Sequence, residues 1–249
     1  LDATVPRADH PALKEVDAKL SGLFAEAALW LAARGDEMES TVAVLMRDTA
    51  RRQVRLDIPG ATLPSLAALA PAWACWPELT SLELDATAAK ALSDTSGLQG
   101  LAQCKQLAVV KANFADCGAL SDVAAFGKGL GALQALQHLH LVFSSNEALS
   151  DVAELGKGLG ALQALQHLEL DFRGCRALSD VAELGKGLGA LPTLQYLHLT
   201  FSCCTALSDV AELGKGLGAL QTLQHLELDF SCCLTLSDVA ELGKSLGAL

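Results

Sequence analysis

"ALSDVAELGKGLGALQALQHLELDF" spans residues 148–172, and a close copy, "ALSDVAELGKGLGALPTLQYLHLTF", follows at 177–201. The tetrapeptide Leu-Ser-Asp-Val begins at Leu120, Leu149, Leu178, Leu207 and Leu236, always 29 residues apart, and a weaker copy, Leu92-Ser93-Asp94-Thr95, lies 28 residues before the first. A fixed period of this size marks a stacked architecture in which each unit buries its apolar face against its neighbours. Within a unit the apolar pattern changes character. Leu165, Leu168 and Leu170 follow L-x-x-L-x-L, and alternation around the last two is the pattern of a strand with one face buried. Val181, Leu184, Leu188 and Leu191 then fall three, four and three apart, one stripe on a helix. Ser179 is read as the N-cap of that helix, with Asp180 and Glu183 in its first turn.

Two further residue types repeat with the unit. Gly185, Gly187 and Gly189 each cost a helix ~1 kcal/mol relative to Ala, which predicts that small residues are needed where neighbouring helices meet. Phe114, Phe143, Phe172, Phe201 and Phe230 share one position and are expected to stack as an internal spine. With 51% apolar residues and only 4% aromatic, the core must otherwise be made of Leu, Ala and Val, which suits many small identical layers.

The formal charge of −11 disfavours nucleic acid, whose phosphates need clustered Lys and Arg, and favours a neutral or basic protein surface. The uncharged run 58–77 is broken by Pro59, Pro64, Pro71 and Pro77, so no membrane span is expected. The first residue is Leu1 rather than Met, which is read as processing or trimming. Cys117, Cys175, Cys204 and Cys233 occupy one repeat position, a pattern of stacked thiols that suggests a reducing compartment such as the cytosol or an organelle interior, a chloroplast for example.

The leucine pattern followed by Asn or Cys resembles the leucine-rich repeat family. Its long helix-containing units resemble the ribonuclease-inhibitor type, and the C-x-x-L-S-D stretch resembles the cysteine-containing repeats of F-box substrate receptors. Asn146 stands where the other units have Cys, five residues after the third leucine rather than the family's three, so the turn is expanded by two. Either side chain is expected to satisfy backbone groups in that buried turn. The resemblance covers about residues 51–249 and implies an α/β horseshoe solenoid, with a parallel sheet on the concave side and helices on the convex side. About seven repeats are expected, the last incomplete, starting with an irregular strand at 54–58. Residues 1–50 are read as a capping segment, with a helical stripe at Leu13, Val16, Leu20, Leu23, Phe24, Ala27 and Leu31, while 41–46 fits either a second helix or a strand pairing with 53–58.

The resemblance places recognition on the solvent face of the strands. There the outward positions form three rows: Ser81, Val109, His138, His167, Tyr196 and His225; Glu83, Lys111, His140, Glu169, His198 and Glu227; Asp85, Asn113, Val142, Asp171, Thr200 and Asp229. Of these, His138, His140, His167, Glu169, Asp171, Tyr196, His198, His225, Glu227 and Asp229 are the candidate partner contacts. Alternating His and Glu in the second row predicts a cation–anion ladder across strands ~4.8 Å apart, and a binding face that responds near neutral pH. A bland reading competes: copying a repeat copies its histidine. A sharper one is metal capture by His138, His140, His167 and Glu169.

No catalytic residue, cofactor or resident metal is assigned, because every candidate acid, base or nucleophile is duplicated along the array. Gly243-Lys244-Ser245 lacks the glycine that a phosphate-binding loop needs at Asp238. The row Lys128, Lys157, Lys186, Lys215 and Lys244 is read as a solvated convex face. Cys203, Cys204, Cys232 and Cys233 form two adjacent pairs open to a soft metal or to oxidation. These features together predict a non-catalytic protein-interaction scaffold, a structural or adaptor subunit whose terminal face is covered by further chain or another subunit. The alternatives are a substrate-recognition module of a ubiquitin-ligase-type complex, an enzyme inhibitor binding through the concave face, and a metal or redox sensor.

Overall fold

The computed structural model describes residues 51–60, 62–237 and 239–247, together with the backbone of 29–32. Eight parallel strands form one sheet in strict sequence order: β1 (Leu29–Ala32), β2 (Gln53–Asp57), β3 (Ser81–Asp85), β4 (Val109–Asn113), β5 (His138–Val142), β6 (His167–Asp171), β7 (Tyr196–Thr200) and β8 (His225–Asp229). Neighbouring strands pair one full repeat apart with no slip, so Leu139, Leu168 and Leu197 are in register, as are Leu141, Leu170 and Leu199. These leucines are completely or almost completely buried.

From β2 onward, each strand returns through a helical segment packed behind the sheet. The first is a 3-10 turn (Ala67–Leu69) running into α1 (Ala70–Trp73), and the second is a 3-10 helix (Ser96–Gln103). Regular helices follow: α2 (Ala124–Leu130), α3 (Ala153–Gly160), α4 (Ala182–Gly189), α5 (Ala211–Gly218) and α6 (Ala240–Leu246). The stripe Val181, Leu184, Leu188 and Leu191 is buried. The helix start departs from the sequence expectation. Val181 stands at the cap position, and Asp180, not Ser179, supplies the side-chain bond at the helix start: its Oδ1 accepts the Ala182 amide at 2.8 Å, and Asp151 and Asp209 do the same in the flanking units. The Asp carboxylate reaches the amide two residues on, and its charge favours the helix N-terminus.

Glycine sets the spacing of these helices. A Cβ at Gly156 would lie 2.4 Å from the Glu183 carbonyl oxygen of the next helix, and one at Gly187 would lie 1.9 Å from the Gly156 carbonyl oxygen. The helices therefore touch backbone to backbone. Lys157, Lys186, Lys215 and Lys244 on the outer surface pair with the glutamate three residues earlier at 2.5–2.7 Å.

The expanded turn has a consistent geometry. The residue before each ladder position is left-handed: Ala88, Asp116, Ser145, Cys203 and Cys232 lie at φ 59–62°, and Gly174 at 72°. This reverses the chain sharply enough to aim the next side chain inward. Cys117 then donates to Ala86 O at 3.2 Å, Asn146 Nδ2 to Phe114 O at 2.9 Å, Cys175 to Phe143 O at 3.1 Å, Cys204 to Phe172 O at 3.1 Å and Cys233 to Phe201 O at 3.0 Å. Asn146 is the costly member, because its Oδ1 is buried without a hydrogen-bond partner. Asn146→Cys keeps the donor and removes the orphaned acceptor, so it should stabilise the fold by about 1 kcal/mol, whereas Asn146→Ala strands the Phe114 carbonyl and should cost about 1–3 kcal/mol. Urea unfolding of the two variants checks both signs.

The phenylalanines stack as a spine. Successive rings from Phe114 to Phe230 are 5.4–5.7 Å apart and 7–13° from parallel. At the N-terminal side the register position holds Ala86, and Phe126 of α2 closes edge-on against Phe114 at 5.8 Å instead.

Two expectations for residues 1–50 need comment. Most of the proposed helical stripe lies outside the described residues, but Leu31 is within β1, a strand. β1 pairs with β2 by matching Leu29 to Val54 and Leu31 to Leu56. The strand beside 53–57 is therefore 29–32 rather than 41–46, and 54–58 is not the first strand of the sheet. The alternation Leu29-x-Leu31 carries the strand signal, and it was absorbed into the helical pattern because Ala27 and Leu31 are also four apart.

Candidate protein-binding face

The side of the sheet away from the helices carries every outward strand position, and the unslipped register turns these positions into straight rows. The first row is a stack of rings. His167 and Tyr196 lie 4.0 Å apart and 4° from parallel, Tyr196 and His225 4.6 Å apart and 5° from parallel, and His138 joins His167 at 5.8 Å with a 32° tilt. All four rings are at least partly exposed. Contact at this distance follows from the ~4.8 Å strand spacing, which nearly equals a stacking distance.

The second row runs Arg55, Glu83, Lys111, His140, Glu169, His198 and Glu227 in continuous register. Arg55 bridges Glu83 at 3.0 Å. Glu169 is the hub of the middle section: Oε1 contacts His167 Nε2 at 2.7 Å, and Oε2 lies 3.7 Å from His140 Nε2. Burial pushes the Glu169 carboxyl up, but the His167 hydrogen bond and the charges of His140, His167 and His198 outweigh it, so it is held below the usual carboxylate range. The expected cation–anion ladder closes only at this point. His198 Nε2 meets Thr200 Oγ1 at 3.1 Å, and among the described residues no ion pair joins it to Glu227.

The third row has a local task that sequence spacing did not reveal. Asp171 Oδ1 accepts the Arg173 amide at 2.9 Å and Asp229 Oδ1 accepts the Ser231 amide at 2.8 Å, with Asp85 and Asn113 doing the same in earlier units. These side-chain oxygens fold the expanded turn. Hydrogen bonds from Ser231, first its side chain and then its amide, hold the Asp229 carboxyl below its ordinary range. Asp171 also carries Arg173 at 2.9 Å, which places a further cation at the rim of the face.

Lys111, His138, His140, His167 and Glu169 surround a hollow of about 380 Å³ floored by Val109, Val110 and Leu139. An adjoining hollow of about 300 Å³ runs beside Glu83, Asp85, Lys111 and His140. Glu83 and Lys111 stand in the second outward row of the sequence but outside the ten candidates, and Arg55 extends that row by one strand, where the 28-residue spacing to Glu83 is its signal. Among the described residues no three His, Cys, Asp or Glu side chains are grouped to hold a metal ion. The His138 ring lies 5.8 Å from the His167 ring at a 32° tilt, and among the described residues no ion pair joins it to Glu169.

At the far end the packing thins. Leu223, Leu226, Leu228, Phe230 and Leu236 are only partly buried, and Leu234 and Val239 are 83% and 51% exposed. No helix among the described residues is long and apolar enough to cross a membrane.

The in-register parallel sheet, the inward leucines, the Asn/Cys ladder and the helical returns define an α/β leucine-rich repeat solenoid. No family model and no curated protein matches the chain. Among solved structures it is similar to a chain of the yeast Rad7–Elc1 complex, at 17% identity over 97% of this chain and 68% of that one, with a TM-score of 0.38. It is also similar to internalin C2 from Listeria monocytogenes, at 18% identity over 78% of this chain and 91% of the other, with a TM-score of 0.31. The repeat protein LegL7 from Legionella pneumophila gives 15% identity, coverages of 84% and 86%, and a TM-score of 0.29.

Proposed function

We propose that the protein is a non-catalytic interaction scaffold that binds a neutral or basic protein surface through the open face of its sheet. The carrying observation is the exposed ring stack His138–His167–Tyr196–His225 beside the carboxylates of Glu169 and Glu227. Stacked rings held by strands lose little freedom on binding and offer broad apolar area, while the acidic row beside them selects for cationic side chains. An adaptor or structural-subunit role fits this reading.

The test is affinity capture with cross-linking from native extract, comparing the parent chain with His138→Ala/His167→Ala/His225→Ala. These side chains are outside the core, so the variant should fold normally by circular dichroism and lose its partner's affinity at least about tenfold, equivalent to about 1.4 kcal/mol. An unchanged partner, cross-linked through the lysine row of the helices, would show that the molecule is held by its other side.

A further inference from the structure

Six of the eight cysteines are buried or remote from one another on the surface. Cys117, Cys175, Cys204 and Cys233 hold the turn ladder, Cys104 is buried at 3.5 Å from Trp73 O, and Cys75 lies near α1 at the opposite end of the array. Burial pushes the Cys104 and Cys117 thiols up to about 11 and those of Cys175 and Cys204 up to about 12. Two thiols remain. Cys203 is half-buried and Cys232 exposed, on successive coils of the same surface.

Their placement is fixed by the backbone. Both are left-handed, at φ 62° and 60°, so their Cα–Cβ bonds leave the chain in the same direction. The Cys203 amide donates to Ser231 O at 2.8 Å, and the neighbouring Ser202 and Ser231 hydroxyls lie 3.3 Å apart. The coils are thus in register, and Cys203 faces Cys232 directly. The neighbouring Cys203 thiol is the first cause that holds the Cys232 thiol above its ordinary range.

We propose that Cys203 and Cys232 are a surface dithiol that closes reversibly to a disulfide by exchange with a small-molecule disulfide such as oxidised glutathione. The Cys232 thiolate attacks one sulfur of glutathione disulfide, forming a mixed disulfide and releasing one glutathione thiolate. The Cys203 thiolate then attacks Cys232 Sγ and releases the second. The two cysteine protons end on the two glutathione thiols, so two thiols are oxidised and one disulfide is reduced. Coils spaced ~4.8 Å apart must close by about 1 Å to reach a disulfide's usual Cβ separation. The coil carrying Cys232 is the less packed of the two, since Phe230 and Leu228 are only partly buried, and it can make that shift. The residual strain and the exposure keep the bond easy to reduce, a switch rather than a permanent staple.

The experiment incubates the full chain at pH 8 with glutathione disulfide in excess, then measures intact mass and maps peptides without reduction. The expected result is loss of two hydrogens, a Cys203–Cys232 linked peptide, and recovery of both thiols on adding reduced glutathione. Cys203→Ser and Cys232→Ser should each abolish the linkage; serine occupies the equivalent left-handed position at Ser145, so both variants retain the fold. A persistent glutathione adduct on Cys232, a Cys203–Cys204 link, or a dimer joined through Cys232 would each overturn the proposal.

Discussion

Gly187→Ala should destabilise the array by about 3 kcal/mol or more, although alanine is the better helix former. The added methyl would sit 1.9 Å from the Gly156 carbonyl oxygen, and that obstacle is backbone, which cannot swing aside as a side chain can. Relief requires α4 to move away from α3, disturbing the leucines that both helices press against the sheet. Gly243 in α6 supplies the contrast: nothing among the described residues lies within 4 Å of a Cβ placed there. Gly243→Ala should therefore gain about 1 kcal/mol from propensity alone. Urea denaturation of the two variants decides between packing and propensity. If both stabilise, close helix contact is not what the glycines provide.

Phe172→Ala should be comparably damaging, costing about 3–5 kcal/mol. Phe172 is fully buried between Phe143 and Phe201, 5.4 Å from each. Its removal opens a cavity and also interrupts the stack halfway along. In a repeat array, stability is a sum of units and the interfaces between neighbours, so one broken interface uncouples two blocks. Hydrogen exchange should show β7 and β8 opening independently of β5, where the parent chain opens as a larger unit. Phe172→Leu, which fills most of the space, should lose much less and keep the blocks coupled.

The contrast between what could and could not be read from the sequence follows from repetition itself. The strand leucines, the phenylalanine spine and the ladder were legible because each position recurs and averages away its local ambiguity. Leu29 and Leu31 do not recur at the same period, since Leu29 lies 25 residues before its partner Val54, and their strand was hidden inside a helical spacing. Ser179 reads as the helix cap, yet Asp180 makes the hydrogen bond, because Ser and Asp travel together in every copy and only geometry separates them. On the open face the rows were visible from the spacing of two, but their chemistry was not. Asp171 and Asp229 look identical in pattern to Glu169 and Glu227, yet their shorter side chains fold back onto the turn amides while Glu169 reaches two histidines.

The glycine contacts between helices also govern how steeply the molecule bends. A stack of coils bends because its two sides have different repeat distances: ~4.8 Å between strands and commonly 8–10 Å between packed helices. Helices that touch backbone to backbone narrow the second distance, so the arc opens and its radius grows. A shallow arc meets a broad, gently curved object along many units at once and does not wrap a small one. The three glycines in each of α3, α4 and α5 thus act at a distance, on the curvature of the opposite surface.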